Sequence, residues 1–331
     1  MMQITHRQRL ERTLAGEKPD RVPVAFWQHL PVDDQDPVKL AQATIAFQKQ
    51  FDFDLVKIMP PSSFCLKDWG VVDEWRANPE GTREYSRRAI HQPDDWRNLP
   101  VLNPKSGKLG KIFRCLEILQ SEFATHTPYL MTIFNPLSQA KNLVGPGNLL
   151  HHLRRHPSAL HEGLKTIRDT TQAFVQTVKT YGISGIFFAV QHASYDLLTE
   201  KEYQEFGRAY DLPILNSADD LWLNMAHLHG KNTMFDYVAD FPVHVLNWHD
   251  RETLPSLADG LGKISGCACG GIARIETMVL GTPERVKREA KEAIQQANGR
   301  RLILGTGCVL PLTTPYGNIM AAREAVEEVK V

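Results

Sequence analysis

The 331-residue chain lacks net charge, long apolar runs and a cysteine framework, and each lack removes a class of function. Lys+Arg and Asp+Glu balance at 38 each, so no overall field draws the protein to nucleic acid or to an anionic membrane. Apolar runs such as residues 186–190 fall far short of the roughly 18 residues a membrane-spanning helix needs. The opening stretch through Pro23 holds no uninterrupted apolar core of the kind a signal peptide carries, so the expected compartment is the cytoplasm. Five cysteines without a repeating spacing argue against a disulfide scaffold, and reduced thiols, either buried or metal-bound, are expected. The first strand–helix turn has no G-x-G-x-x-G, which counts against dinucleotide binding.

What the chain does have is a rhythm. Short apolar runs near positions 22, 54, 129, 185, 224, 243, 264 and 302 alternate with segments of helical period. Such alternation predicts a parallel sheet, and eight units predict closure into an α/β (β/α)8 barrel. Residues 62–128 interrupt the rhythm. Two strand-like runs flank Asn78-Pro79-Glu80-Gly81, and 111–122 reads as a helix. The expectation is one barrel domain over 1–331, with 62–128 inserted between the second and third strands as a lid or side wall.

Polar residues at the C-terminal ends of barrel strands are the natural place for chemistry, and here they are rich in histidine. His227 and His229 flank Leu228, so alternation turns both imidazoles to one side. Cys308, at the end of the last strand, can lean over the same mouth. Two nitrogens and a thiolate with a fourth position open would make a catalytic zinc site; the same pattern also fits two hydrogen-bonded core histidines and a buried thiol. Cys267 and Cys269 share a face and read as an inert pair or a further ligand. Asp250 is a candidate proton acceptor or substrate orienter with His249 or Asn247 as its partner, or a helix cap before Thr253. Gln191 and His192 end the strand 185–190. Trp27, His29, Lys57, Asn247 and Trp248 are candidate substrate contacts: Lys57 for an anionic group, and Trp27 and Trp248 as an aromatic wall or as core.

Three groups of residues resemble one family. Leu14-Ala-Gly-Glu-Lys-Pro-Asp-Arg-Val-Pro-Val, Gly270-Gly271-Ile272 followed by Leu280-Gly-Thr-Pro-Glu-Arg-Val, and Gly305-Thr-Gly-Cys-Val-Leu-Pro with Thr314-Pro-Tyr-Gly-Asn-Ile are similar in order and spacing to the uroporphyrinogen decarboxylase superfamily. The resemblance implies a TIM barrel. True decarboxylases of that family carry Arg-Gln-Ala-Gly-Arg-Tyr after the first strand and Gly-His-Gly after the last; this chain has Trp27-Gln28-His29-Leu30-Pro31 and Gly307-Cys308-Val309. The corrinoid-dependent methyltransferase branch carries His-x-Cys-Gly and a distant Gly-Cys-Val/Ile-Pro as zinc ligands. His227-Leu228-His229-Gly230 and Gly307-Cys308-Val309 occupy those places, with His229 where that branch has Cys. The resemblance therefore implies zinc held by His227, His229 and Cys308, a corrinoid as substrate or on a partner protein, a small methyl acceptor, and a homodimer as one arrangement. Two other readings stay open: tetrapyrrole decarboxylation with Arg87, Arg88 and Arg114 as replacement cations, and a non-catalytic tetrapyrrole- or corrinoid-binding barrel.

Overall fold

The computed structural model describes residues 4–123 and 126–329. Its strands are β1 (Val56–Ile58), β2 (Val72–Glu74), β3 (Glu84–Arg87), β4 (Tyr129–Phe134), β5 (Gly185–Val190), β6 (Met225–Leu228), β7 (Val245–Trp248), β8 (Cys267–Ile272) and β9 (Leu302–Thr306). Seven of them form a parallel sheet in the order β1-β4-β5-β6-β7-β8-β9. Burial on both faces suits their near-continuous apolar character: β4, β5 and β8 are buried at every position. β2 and β3 pair antiparallel in a sheet of their own, between β1 and β4 in the chain. No described helix is long and apolar enough to cross a membrane.

The eighth expected strand, near residue 22, is not a full strand but a single bridge, Val24 to Leu304. Pro23 has no N–H to donate, which thins the ladder at this point. Backbone bonds still reach both sheet edges: Ala25 N–H to Leu304 O and Leu304 N–H to Pro23 O on the β9 side, and Asp54 N–H to Val24 O just before β1. The curled sheet is thus drawn together across residues 23–25. Two helices also escaped prediction, Pro136–Val144 and Pro146–Arg155. Each begins on a proline at its first turn, and the stretch from 135 to 159 has no single clean period to announce them.

Asp54 pins this seam. Its carboxylate is fully buried and accepts from Arg9, Arg21, His6 and the Val24 N–H. Burial alone would raise its pKa, but the His6 hydrogen bond and the Arg21 and Arg9 cations hold it far below the ordinary carboxylate range. Removing the charge would leave two buried guanidinium groups without their common partner, so Asp54→Asn is expected to cost about 3–5 kcal/mol in denaturant unfolding; a loss under ~1 kcal/mol would mean the network contributes little.

Asp211 is buried in the opposite electrostatic sense. Asn135 Nδ2 donates to both its oxygens and Tyr203 Oη to one. Burial still outweighs these bonds and pushes its pKa up to about 7. The native value thus lies above the unfolded value of about 3.9. The unfolded chain gives up this proton first, so the native state is most favoured below about pH 4 and loses stability as pH rises toward 7. Asp211→Asn should flatten that part of the stability–pH curve; an unchanged slope relative to the wild type would show that Asp211 is ionised in the native state.

Candidate functional site

Parallel pairing sets the site. β6 and β7 align His227 with Asn247, and β7 and β8 align Asn247 with Cys269. His229 continues the β6 ladder by donating its N–H to Val190 O, so it faces the same side as His227. On β7 the same alternation buries Trp248 against Phe235 and brings the next residue, His249, back to the side of Asn247. After β9 the chain turns through Gly307, where a Cβ would lie 2.5 Å from His249 Cα and 2.6 Å from Trp248 O. Only glycine allows this approach, which sets Cys308 against the end of β7.

The outcome is a cluster of His227, His229, His249 and Cys308, whose ligand atoms all lie within 4.8 Å of one another. Cys308 Sγ is 3.7 Å from His227 Nε2 and 3.6 Å from His229 Nδ1, and these two nitrogens are 3.5 Å apart. Zn–N bonds of about 2.0–2.1 Å and a Zn–S bond of about 2.3 Å place tetrahedral ligand atoms roughly 3.3–3.6 Å apart. The donors are spaced as one ion would hold them.

Their hydrogen bonds orient them in the same sense. Asn247 Nδ2 donates both protons, to Cys269 O at 2.8 Å and Thr306 O at 3.0 Å. Its Oδ1 is therefore left to accept from His227 Nδ1–H at 2.6 Å, which frees the Nε2 lone pair toward Cys308. His249 Nδ1 lies 3.3 Å from Glu252, and its Nε2 is buried without a hydrogen-bond partner. Burial and the neighbouring charges on His229, His249 and Lys57 hold the His227 pKa far down, and burial followed by Lys141 lowers that of His229. His249 also loses solvation, but Cys308 and Glu252 more than offset this and raise its pKa.

A cavity of about 600 Å³ opens over the cluster. Trp27, His29, Lys57, Gln191, His192, His227, His229 and Cys308 all line it. The Lys57 ammonium sits 4.0 Å over the Phe187 ring and 5.5 Å over Trp27, and burial lowers its pKa to about 7. Lys141 also lines the cavity and meets Gln191 Oε1 at 3.2 Å. Burial, then Lys57 for one and Lys141 for the other, depresses His29 and His192 to about 3, and each has a buried Nδ1 with no partner.

The remaining expected residues fall elsewhere. Trp248, expected beside a substrate, is fully buried and donates from Nε1 to Pro255 O; its outward place in the β7 alternation makes it core. Asn247 lies behind His227 and does not line the cavity. Asp250 does not line it either; its Oδ2 accepts from Gly271 N–H, its Oδ1 has no partner, and burial pushes its pKa up to about 7. Cys267 donates to Thr13 O in the core, and neither it nor Cys269 joins the cluster. The arginines considered as replacement cations are also absent from the cavity wall: Arg87 and Arg88 donate to backbone carbonyls and Arg114 pairs with Glu117. Sequence reasoning missed His249 as a member of the cluster, although position 249 repeats the alternation of Asn247 as His229 repeats that of His227.

The family model for uroporphyrinogen decarboxylase (URO-D) matches residues 5–329. The chain belongs to the URO-D family. Methylcobamide:CoM methyltransferase MtbA of Methanosarcina mazei is 21% identical, over 99% of both chains. Methylated-thiol–coenzyme M methyltransferase of the same organism is 22% identical over 93% of this chain and 80% of that relative. Among solved structures, a methyltransferase from Methanosarcina mazei superposes with a TM-score of 0.86 at 18% identity, covering 98% of this chain and 99% of its own. A B12-independent methionine synthase from Shewanella sp. W3-18-1 follows the same fold more loosely, with a TM-score of 0.60 at 12% identity, over 93% of this chain and 98% of that one.

The asparagine bridge generates a direct test. Asn247→Leu removes the acceptor that fixes the His227 ring and should weaken divalent-metal binding by about 10–100-fold in chelator competition. Equal affinity in the variant would show that the ring is oriented by packing alone.

Proposed function

We propose that this URO-D family protein is a zinc-dependent methyltransferase that moves a methyl group from a corrinoid to a small thiol acceptor. The observation that carries the reading is the convergence of His227, His229, His249 and Cys308 on one point at the inner end of the cavity. The fold is read as a (β/α)8 barrel whose first strand is reduced to the Val24 bridge, with 62–128 as its side wall, and the protein as cytoplasmic.

Zinc held by these residues would supply Lewis acidity that keeps an acceptor thiol ionised at neutral pH. Three neutral imidazoles and one thiolate leave such a centre with a charge of about +1. A more positive centre lowers thiol pKa further but leaves a weaker nucleophile, so the preferred acceptor is a thiol of high intrinsic nucleophilicity. Three of the four donors face the cavity, whereas His249 closes the cluster from behind.

The chain's own residues would then bind and orient. Lys57 and Lys141 line the cavity, where Lys57 Nζ meets the Met59 thioether and Lys141 Nζ the Gln191 amide oxygen. They are placed to receive a negatively charged group on the acceptor, and Trp27 and Phe187 offer a flat apolar floor beside Lys57. His29 and His192, held neutral, can each use the free Nδ1 to hydrogen-bond the substrate, and Gln191 positions Lys141. Asp250 is assigned to holding β8 at Gly271, not to contact with substrate. The corrinoid is read as presented at the barrel mouth, on a partner protein or free. A decarboxylase acting on a tetrapyrrole would need several free cations in the wall; Arg83, which does line the cavity, is already paired with Asp73 and Asp34.

The test joins metal content and turnover. Purified protein should hold on the order of one zinc per chain and demethylate methylcobalamin when an anionic thiol is added, and Cys308→Ala should lose both properties. Negligible zinc after both aerobic and anaerobic preparation, or full turnover by the Cys308→Ala protein, would remove the basis of this function.

A further inference from the structure

The donor at the back of the cluster is tied to the wall on the other side of the cavity by a line of charged groups. His249 Nδ1 meets Glu252 Oε2 at 3.3 Å. Arg274 Nε lies 3.9 Å from the other Glu252 oxygen, and its Nη1 pairs with Glu80 Oε1 at 2.5 Å. Glu80 belongs to the loop between β2 and β3, distant in sequence from every other member of the line. That loop is seated on the site. Leu312 N–H, four residues past Cys308, donates to Pro79 O, and Gly81, at φ +76°, approaches His29 so closely that a Cβ would lie 2.4 Å from His29 Cβ. Glu80, Gly81 and His29 all line the cavity.

We infer that Glu252 and Arg274 are positioning residues for His249 and that Arg274 couples the grip of this ligand to the seating of the 78–81 loop through Glu80. The inference rests on the metal reading above. A histidine ligand whose second nitrogen bonds a carboxylate is held in one tautomer and made a better donor, and such partners typically contribute 10–100-fold to metal affinity. Glu252 occupies that place. Without Arg274 it would be a carboxylate shared between solvent and one imidazole. Arg274 lies within ion-pair reach of it, without a hydrogen bond from Nε, and the guanidinium is itself anchored at its far end by Glu80. The loop that walls the cavity is therefore in contact, by the Glu80–Arg274 and Arg274–Glu252 ion pairs and the His249 Nδ1 hydrogen bond to Glu252, with the one ligand that does not face the cavity. Loss of the Glu80 contact would leave Arg274 without its far anchor and Glu252 less firmly held, which would weaken the orientation of His249.

Zinc and cobalt(II) are the probes. Affinity is measured by chelator competition on demetallated wild type, Glu252→Gln, Glu80→Gln and the double variant, with thermal unfolding of each apo-protein to show that it is folded. Glu252→Gln should bind zinc about 10–100-fold more weakly, and its cobalt(II) complex should show the changed visible absorption of an altered ligand set. Glu80→Gln should lose affinity about three- to tenfold, and adding it to Glu252→Gln should cost nothing more, because both act through one line. Wild-type affinity and spectrum in Glu252→Gln would overturn the inference, as would independent, multiplying losses in the double variant. Failure of the wild type to bind either ion would strike the metal reading itself, and so is distinguished from failure of the coupling.

Discussion

The site hangs on one side-chain amide. Asn247 spends both of its protons on carbonyls of β8 and the end of β9, Cys269 O and Thr306 O, and this leaves its oxygen a single role, to accept from His227. A neutral imidazole that donates from Nδ1 must present a lone pair at Nε2, so the amide decides which nitrogen points at Cys308. Without that bond the His227 ring could turn or change tautomer, and the separations of 3.5 to 3.7 Å among its neighbours would have no reason to persist. Four strands, β6 to β9, are thereby fixed relative to one another by a group that touches neither cavity nor solvent.

Around this fixed centre the electrostatics are deliberately uneven. At the seam near β1, Asp54 keeps its charge because two guanidinium groups and an imidazole surround it. In the cavity the situation is reversed: the Lys57 and Lys141 ammonium groups meet aromatic faces, a thioether and an amide oxygen instead of carboxylates. Unpaired buried charge is costly, and burial lowers the pKa of both lysines accordingly; in the proposed function an incoming anion would offset that cost. The first network serves folding; the second is the one that the proposed function assigns to a ligand.

Much of this was legible in the residues. The positions of β4 through β9, the hairpin around 78–81, and the histidines at 227 and 229 all follow from apolar runs, turn residues and alternation. What remained hidden had physical causes. The bridge at Val24 reads as a strand because Val22, Val24 and Phe26 are apolar, yet Pro23 cannot complete a ladder. Trp248 and His249 are neighbours in sequence and opposites in space; deciding which faces inward requires the register of β7 against β6, which is a long-range property. The role of Gly307 is likewise invisible until the backbone of His249 is found pressed against it. Glu80 and Glu252 are separated by more than half the chain, and only Arg274 joins them.

The register itself carries a consequence for how such a centre can change over time. His227 is paired with Asn247, and Asn247 with Cys269, by parallel strands whose side chains alternate. Deleting or adding one residue within β6 or β7 would exchange the inward imidazoles for Leu228 or Trp248, turning a donor set into a greasy plug in a single step. Length is thus frozen along these strands while side-chain identity is free to drift. A change of side chain at 229 would alter the donor set while leaving the frame as it is.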